Sequence, residues 1–251
     1  MELGLGGKAA IVGGASDGIG YAIARMLAGE GANVAMVARR AGPLEEAAQR
    51  IAAETGSRSF AIAADIRKAA DCARIVDAAF TEFGRLDILV NNDGAPPLGL
   101  LADFDDVAWD QAVQQNLMSV VRLCRGAIPR MRAGGRILNI AALSTLQPLP
   151  KFGLSVATWA GVIGYAKTLS LEVAAQGITV NTICPGRIAT SRIAKVFAGQ
   201  SPEQVTKDIP MGRFGRPEEI AGLAAFLASE LGAYITGSTF HVDGGRRASI
   251  L

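Results

Sequence analysis

The 251-residue sequence has few of the residues that form metal centres, disulfide frameworks and membrane spans. Its single histidine, His241, excludes a histidine-rich metal site, and we expect no bound metal. The cysteines are odd in number and far apart, which is typical of a reducing compartment; they are Cys72, Cys124 and Cys184. No apolar run approaches the roughly 18 residues of a membrane span, and the start lacks the pattern of a signal peptide.

Charge is also scarce and nearly balanced. Only 19% of the residues are charged, and 25 Lys and Arg against 23 Asp and Glu leave a net charge of +2. This balance gives no electrostatic reason to expect nucleic acid or an anionic membrane as a partner. Half of the residues are hydrophobic, which predicts a sizeable buried core. We therefore expect a cytoplasmic globular protein.

Short apolar runs alternate strictly with longer amphipathic segments along the chain. The apolar runs suit strands that are buried on both faces; they are Ala9–Gly13, Asn33–Ala38, Ser59–Ala64, Leu86–Asn91, Arg136–Ala141, Thr179–Cys184 and Thr239–Val242. The helical patterns are Ile19–Gly29, Pro43–Glu54, Ala69–Phe83, Val107–Arg132, Leu154–Ala175 and Pro217–Ser229. This order predicts one doubly wound α/β domain over residues 1–251, with a seven-stranded parallel sheet flanked by helices.

The least regular segment is Arg187–Gly215. It follows the carboxyl end of a predicted strand, and open α/β sheets bind their ligands at that edge. We interpret this segment as a mobile lid over a ligand.

A glycine-rich turn joins the first strand to the first helix. It reads Gly13-Gly14-Ala15-Ser16-Asp17-Gly18-Ile19-Gly20. Glycines in such a turn let the backbone approach a pyrophosphate, whose charge the helix N-terminus stabilises. A glycine-rich turn that binds no ligand is the alternative, and the position between strand and helix favours a dinucleotide.

Further motifs follow in chain order at regular separations. They are Asp65-Ile66, Asn91-Asn92-Asp93-Gly94, Asn116, Pro185-Gly186-Arg187-Ile188-Ala189-Thr190, Arg213–Glu218 and Val242-Asp243-Gly244-Gly245. With the glycine-rich turn, this set resembles the short-chain dehydrogenase/reductase family along essentially the whole chain, and most closely its β-ketoacyl-carrier-protein reductases. Asp93 departs from the family pattern, which has Ala at that position.

The resemblance implies a Rossmann fold, a nicotinamide dinucleotide, a small-molecule substrate and a homotetramer. It also implies that Asn116 is the catalytic Asn of the family. The residues that it assigns to the cofactor, apart from those discussed next, are Gly14, Ser16, Asp17, Gly18, Ile19, Gly20, Asp65, Ile66, Asn92, Gly94, Pro185, Gly186, Ile188 and Thr190.

The end of the second strand predicts which dinucleotide is bound. An NAD site carries an acidic residue there, whereas this sequence has Ala38 followed by Arg39 and Arg40, whose guanidinium groups suit a 2′-phosphate. Two solvated arginines at a helix start are the alternative. Asp17 argues the other way, since NADP-preferring members of the family often carry a basic residue before the middle glycine. We predict NADP over NAD.

The sequence departs from the catalytic Ser, Tyr and Lys that the resemblance implies. In the family, a Lys one helical turn after the Tyr lowers its pKa, and a Ser polarises the carbonyl. The motifs on both sides align without gaps and put Ala142, Ser155 and Trp159 at the Ser, Tyr and Lys positions. Another register does not restore the pair, because Tyr165 and Lys167 are two residues apart and point to different faces of a helix.

Several residues are candidates for the altered site. Asp93 either replaces the lost acid or has a structural role opposite Gly13, where the family has Thr. Ser144 is a candidate to point into the cleft in place of the lost Ser, and Ser155 is too short and too weak an acid to replace Tyr directly. Trp159 either fills part of the cofactor cleft or repacks a site that has lost function. His241 is interpreted as a core or interface residue.

Three functions stay open at this point. The first is an NADP-dependent oxidoreductase with an altered proton transfer, in which the substrate or water supplies the proton. The second is a non-catalytic cofactor-binding or structural subunit, paired with an active paralogue. The third is a lyase or isomerase that uses the same cleft with different groups.

Overall fold

The computed structural model describes residues 2–249 and contains seven parallel strands in one sheet, in the order β3-β2-β1-β4-β5-β6-β7. The strands are β1 Ala9–Gly13, β2 Asn33–Ala38, β3 Ser59–Ala63, β4 Leu86–Asn91, β5 Met131–Ile140, β6 Thr179–Pro185 and β7 Thr239–Val242. The order reverses direction between β1 and β4, so the connections that leave the carboxyl ends of these two strands run to opposite faces of the sheet and leave a crevice between them. The predicted fold class is confirmed.

Helices cover both faces of the sheet. They are α1 Gly18–Gly29, α2 Ala41–Thr55, α3 Ala69–Phe83, α4 Asp106–Ala112, α5 Ser119–Ala127, α6 Gly153–Val173, α7 Ser191–Val196, α8 Pro202–Thr206 and α9 Pro217–Ala228. One core cluster joins the sheet to α1, α2 and α9, and a second joins it to α3, α5 and α6. Burial on both faces explains why the central strands consist of apolar runs.

The prediction of one continuous helix over Val107–Arg132 is wrong. The structure has α4, a π-helical turn at Val113–Met118, α5 and a short 3₁₀ turn that ends at Arg130. Pro129 lies in that turn, where its ring and missing N–H oppose further α-helix. Strand β5 then begins at Met131, earlier than predicted, and its register with β4 shifts between Leu86 and Ile88.

The segment Arg187–Gly215 extends from the carboxyl end of β6, and its two ends lie side by side. Its two ends pair through the Ala189 N–H on the Gly215 carbonyl oxygen (2.8 Å) and the Gly215 N–H on the Arg187 carbonyl oxygen (3.0 Å). Between these ends the segment forms α7 and α8. We refer to it as the flap. Within residues 2–249, no helix is long and apolar enough to cross a membrane.

Candidate active site

The glycine-rich turn forms a narrow cradle at the carboxyl end of β1. Gly14 and Gly18 have φ angles of +57° and +61°, which strongly favour glycine. A Cβ atom on Gly20 would lie 2.3 Å from the Gly14 carbonyl oxygen and 2.6 Å from that of Gly13. The first turn of α1 therefore packs directly on the strand end, and its backbone N–H groups are brought close to the crevice.

Asn92 joins the end of β4 to this cradle. Its Nδ2 donates to the Gly13 carbonyl oxygen at 3.0 Å, and a Cβ atom on Gly14 would lie 2.5 Å from the same Nδ2. A Cβ atom on Gly13 would lie 2.5 Å from the Asn92 carbonyl oxygen. The structure thus explains why Gly13 has no side chain: the backbone of the segment after β4 occupies that space.

The flap lies against the other side of the cradle. Thr190 caps α7 by accepting the Ile193 N–H (3.3 Å), and a Cβ atom on Gly18 would lie 3.1 Å from the Thr190 methyl carbon. Asp17 caps α1 by accepting the Gly18 N–H at 2.7 Å, and its second oxygen accepts the Ser191 hydroxyl. Both oxygens of Asp17 are therefore engaged within the cradle and the flap.

The ends of β2 and β3 bring positive charge to one side of the crevice. Arg39 and Arg40 are exposed directly after β2. The Asp65 carboxylate accepts hydrogen bonds from the Arg67 guanidinium at 2.7 and 2.9 Å, which hold the pKa of Asp65 below its usual range. The Asp65 carboxylate is therefore paired with Arg67, while Ile66 lines the crevice.

Two cavities lie beyond the cradle. The inner one, of about 30 Å³, is lined by residues that include Ile66, Asp93, Asn116 and Trp159. The outer one, of about 360 Å³, is lined among others by Ala142, Ser144 and again Trp159. We call them the inner and outer cavities. Trp159 lines both, so its indole forms part of the wall between them.

The π-helical turn positions Asn116 against α6. The Asn116 Nδ2 donates to the Thr158 hydroxyl at 2.8 Å, and that hydroxyl donates to the Leu154 carbonyl oxygen at 2.8 Å. The Asn116 side-chain oxygen is buried without a hydrogen-bond partner among the described residues. A buried amide oxygen without a partner is costly, which indicates that a water or ligand belongs beside it.

Ser155 and Ser144 differ in their access to the cavities. Ser155 is 1% exposed on the inner face of α6, and Ser144 lies in the turn that follows Ala142 and lines the outer cavity. Both hydroxyl oxygens are buried and have no hydrogen-bond partner within residues 2–249. Ser144 is therefore placed to donate a hydrogen bond to a molecule in the outer cavity.

Asp93 is the titratable group of the inner cavity. Burial raises its pKa to about 6, an effect that the Gly94 N–H, Arg39 and Arg67 oppose and that Asp65 reinforces. Arg39 and Arg67 lie at the ends of β2 and β3, and Arg192 of the flap also interacts electrostatically with Asp93. A group with a pKa near 6 exchanges protons readily around neutral pH.

Comparisons with known proteins match this architecture. A family model described as enoyl-(acyl carrier protein) reductase matches residues 14–247. The 3-oxoacyl-(acyl-carrier-protein) reductase FabG of Staphylococcus epidermidis is 38% identical over 240 residues, which cover 95% of this chain and 98% of that protein. The chain belongs to the short-chain dehydrogenase/reductase family.

Solved structures superimpose on 97% or more of the chain. The L-sorbose reductase of Gluconobacter frateurii, in complex with NADPH and L-sorbose, has a TM-score of 0.96 with 35% identity and 100% coverage of both chains. A short-chain dehydrogenase of Burkholderia cenocepacia, in complex with NADP, has a TM-score of 0.90 with 32% identity, and 97% of this chain and 99% of that chain are covered.

Three residues at the candidate site lie outside the motifs identified in the sequence. Arg192 and Arg246 line the outer cavity, and Thr158 anchors Asn116. Arginines follow the carboxyl ends of β6 and β7 at positions 187, 192 and 246. This clustering is the sequence signal that indicates positive charge at the outer cavity. Thr158 has no comparable pattern, because its role depends on the packing of α6 on the π-helical turn.

His241 and Tyr165 are half-buried outside the crevice. His241 is half-buried on β7, and its Nε2 lies 2.8 Å from the Arg247 guanidinium; burial and that charge lower the pKa of His241. Tyr165 is half-buried beside Cys124, and burial raises the pKa of its hydroxyl, whereas Lys167 is exposed. Tyr165 and Lys167 therefore face different environments.

Proposed function

We propose that the protein is an NADP-dependent oxidoreductase that interconverts a carbonyl and an alcohol without the usual Ser–Tyr–Lys proton relay. The observation that carries the first half is the glycine-rich turn, where a Cβ atom at Gly14 or Gly20 would collide with Asn92 or the backbone, so that α1 begins directly on the end of β1. Solved relatives that contain NADPH or NADP support the same assignment. When bound, NADPH supplies the hydride.

The residues at the cradle fit the phosphates of this cofactor. The backbone N–H groups at the start of α1 favour the pyrophosphate charge, and Arg39 and Arg40 favour a 2′-phosphate at the end of β2. Asp17 opposes NADP in the sequence pattern. In the structure its oxygens accept the Gly18 N–H and the Ser191 hydroxyl, which compensates part of its charge locally.

The flap and the end of β6 fit the nicotinamide half. The cofactor residues expected there are Pro185, Gly186, Ile188 and Thr190, and a Cβ atom on Gly186 would lie 2.8 Å from the Asp243 Cα. Thr190 fixes the start of α7 next to the cradle. Closure of the flap over a bound dinucleotide would exclude water from the crevice.

The proton transfer differs because Ala142, Ser155 and Trp159 occupy the positions of the family's catalytic residues. Ser144 takes over the polarisation of the substrate carbonyl, since its partnerless hydroxyl lines the outer cavity. The proton comes from the substrate or from water. Asp93, whose pKa burial raises to about 6, is the first residue to test as an alternative donor, and it lies on the inner side of Trp159.

One observation favours a second function. Trp159 forms part of the wall between the two cavities, where the family has a flexible Lys that reaches the cofactor. An indole has a single N–H and more bulk, so it weakens contact with the ribose next to nicotinamide. A member that binds the dinucleotide without turning over a substrate would have this arrangement.

Cofactor binding and hydride transfer are separable by experiment. Fluorescence titration with NADPH and NADH is expected to show saturable binding with NADPH preferred. Incubation with deuterated NADPH and a panel of ketones, followed by mass spectrometry, is expected to show deuterium on the product carbon. Binding without transfer to any ketone would support the non-catalytic function, and absence of binding would overturn both.

A further inference from the structure

The outer cavity combines apolar walls with an unusual number of arginines. Leucine and phenylalanine side chains supply much of its lining; they are Leu98, Leu143, Leu149, Phe152 and Phe197. Its volume of about 360 Å³ falls in the range of small-molecule sites. Arg187, Arg192 and Arg246 line the same space.

The acidic groups near these arginines do not balance their charge. Asp208 accepts hydrogen bonds from Arg187 and also from Arg246, at 2.9 Å to its Nε, so one carboxylate serves two guanidinium groups. Arg187 is further held by the Val205 carbonyl oxygen and stacks on Phe197 at 4.9 Å. These contacts fix Arg187 and Arg246 in place and leave a surplus of positive charge beside an apolar space.

Of the three arginines that line the outer cavity, Arg192 makes the fewest hydrogen bonds to the described residues. It lies in the first turn of α7, and the structure gives it one hydrogen bond, from Nη1 to the Ala95 carbonyl oxygen at 3.1 Å. Asp93 is the acidic group that acts on it electrostatically. The planar guanidinium of Arg can bind a carboxylate with two parallel hydrogen bonds, and its remaining donors are sufficient for this.

We propose that the outer cavity takes a small apolar carboxylate, with the carboxylate group on Arg192 and the hydrocarbon part against the leucine and phenylalanine walls. This inference rests on the proposed function, because it names the substrate class of the same site. An unpaired anion would be expensive to bury in such a cavity, whereas the arginine surplus compensates its charge. The Ser144 hydroxyl is then available for the carbonyl that is reduced.

Binding of simple probes to the full chain tests this directly. Dissociation constants are measured by calorimetry for phenylacetate, phenylacetamide and phenyl phosphate, with and without saturating NADP. We expect phenylacetate to bind at least about tenfold more tightly than the neutral amide, as a charge-assisted pair predicts. Equal affinity for acid and amide, or tighter binding of phenyl phosphate, would overturn the proposal.

Two variants on the same helix separate charge from flap structure. Arg192→Gln should weaken phenylacetate by about 10- to 100-fold and leave phenylacetamide unchanged, while Lys195→Gln, an exposed control on α7, should change neither. A loss of acid and amide alike in Arg192→Gln would show that the residue only holds the flap, and would refute its role as carboxylate partner.

The same measurements distinguish this proposal from the function on which it rests. A chain that binds NADPH but does not discriminate acid from amide contradicts the substrate class alone. A chain that binds phenylacetate through Arg192 but shows no affinity for NADPH or NADH supports the carboxylate site and contradicts the oxidoreductase function.

Discussion

Arg39 and Arg40 are exposed directly after β2, which ends at Ala38 and not at an acidic residue. We predict that Arg39→Asp reverses the cofactor preference, because the new carboxylate repels a 2′-phosphate and accepts a hydrogen bond from a 2′-hydroxyl. NADPH affinity should fall at least about tenfold in a fluorescence titration. Arg132→Asp, an exposed position away from the crevice, is the matched control. Equal affinity of the parent protein for NADPH and NADH would contradict the assignment.

Asp93 makes stability depend on pH. Burial raises its pKa from 3.8 to about 6, so the folded protein binds this proton more tightly than the unfolded chain. The resulting stabilisation is present below pH 4 and is lost as the pH rises through 6. Asp93→Asn removes this dependence.

The free energy of unfolding should therefore gain more from Asp93→Asn at pH 8 than at pH 4, by up to about 3 kcal/mol. Urea unfolding of both proteins at the two pH values measures the difference. Glu45→Gln, at an exposed position of α2, is the matched control. A difference that does not change with pH would show that Asp93 titrates normally.

We predict that Ala142, Ser155 and Trp159 limit the rate at which ordinary ketones react. A positioned general acid contributes roughly 10²- to 10⁴-fold, so we predict turnover of acetoacetyl esters at least about 10²-fold below that of relatives with the full set. Restoring Ala142→Ser, Ser155→Tyr and Trp159→Lys together should raise the rate, because groups that act as a unit are strongly non-additive. Steady-state assays of the parent, each single variant and the triple variant test this. A parent enzyme with ordinary rates would mean that another acid operates.

At the scale of elements, the contact between α1 and the end of β1 is the most constrained feature of the crevice. A Cβ atom at Gly20 would lie 2.3 Å from the Gly14 carbonyl oxygen, whereas one at Gly222, inside α9, meets no atom within 4 Å. Gly20→Ala should therefore destabilise the fold by roughly 1–3 kcal/mol and weaken dinucleotide binding. Gly222→Ala should stabilise it by up to about 1 kcal/mol. Thermal unfolding of both variants measures these changes in stability. Equal shifts of the melting temperature would contradict the prediction.

Elements that depend on local pattern were predictable from the sequence, and those that depend on packing were not. The apolar runs of β1 and β4 identify buried strands because a parallel sheet leaves them no polar face. The π-helical turn around Asn116 has no such pattern, since the side chains of α6 fix it. Likewise, Arg187 and Arg246 both donate hydrogen bonds to the Asp208 carboxylate, which joins the flap to the C-terminal segment. Only the tertiary fold brings these three residues together.

At the scale of the whole molecule, apolar side chains are exposed on two helices. Val107 on α4 is 61% exposed and Leu171 on α6 is 71% exposed. Strand β7 lies at the edge of the sheet, and Phe240 and Val242 on it are half-buried. An open edge strand and exposed apolar helix faces are typical of surfaces that pair with a second copy.

We therefore predict a homotetramer in which one twofold axis pairs α4, α5 and α6 and another runs beside β7. Light scattering at micromolar concentration should give four times the mass of the chain. Leu171→Glu should shift the assembly towards dimers, because it places a charge on an apolar contact surface, whereas Ala73→Glu on the exposed side of α3 should leave it unchanged. A monomer in the parent protein would refute the arrangement. A tetramer that tolerates Leu171→Glu would instead place the helix interface elsewhere on α6.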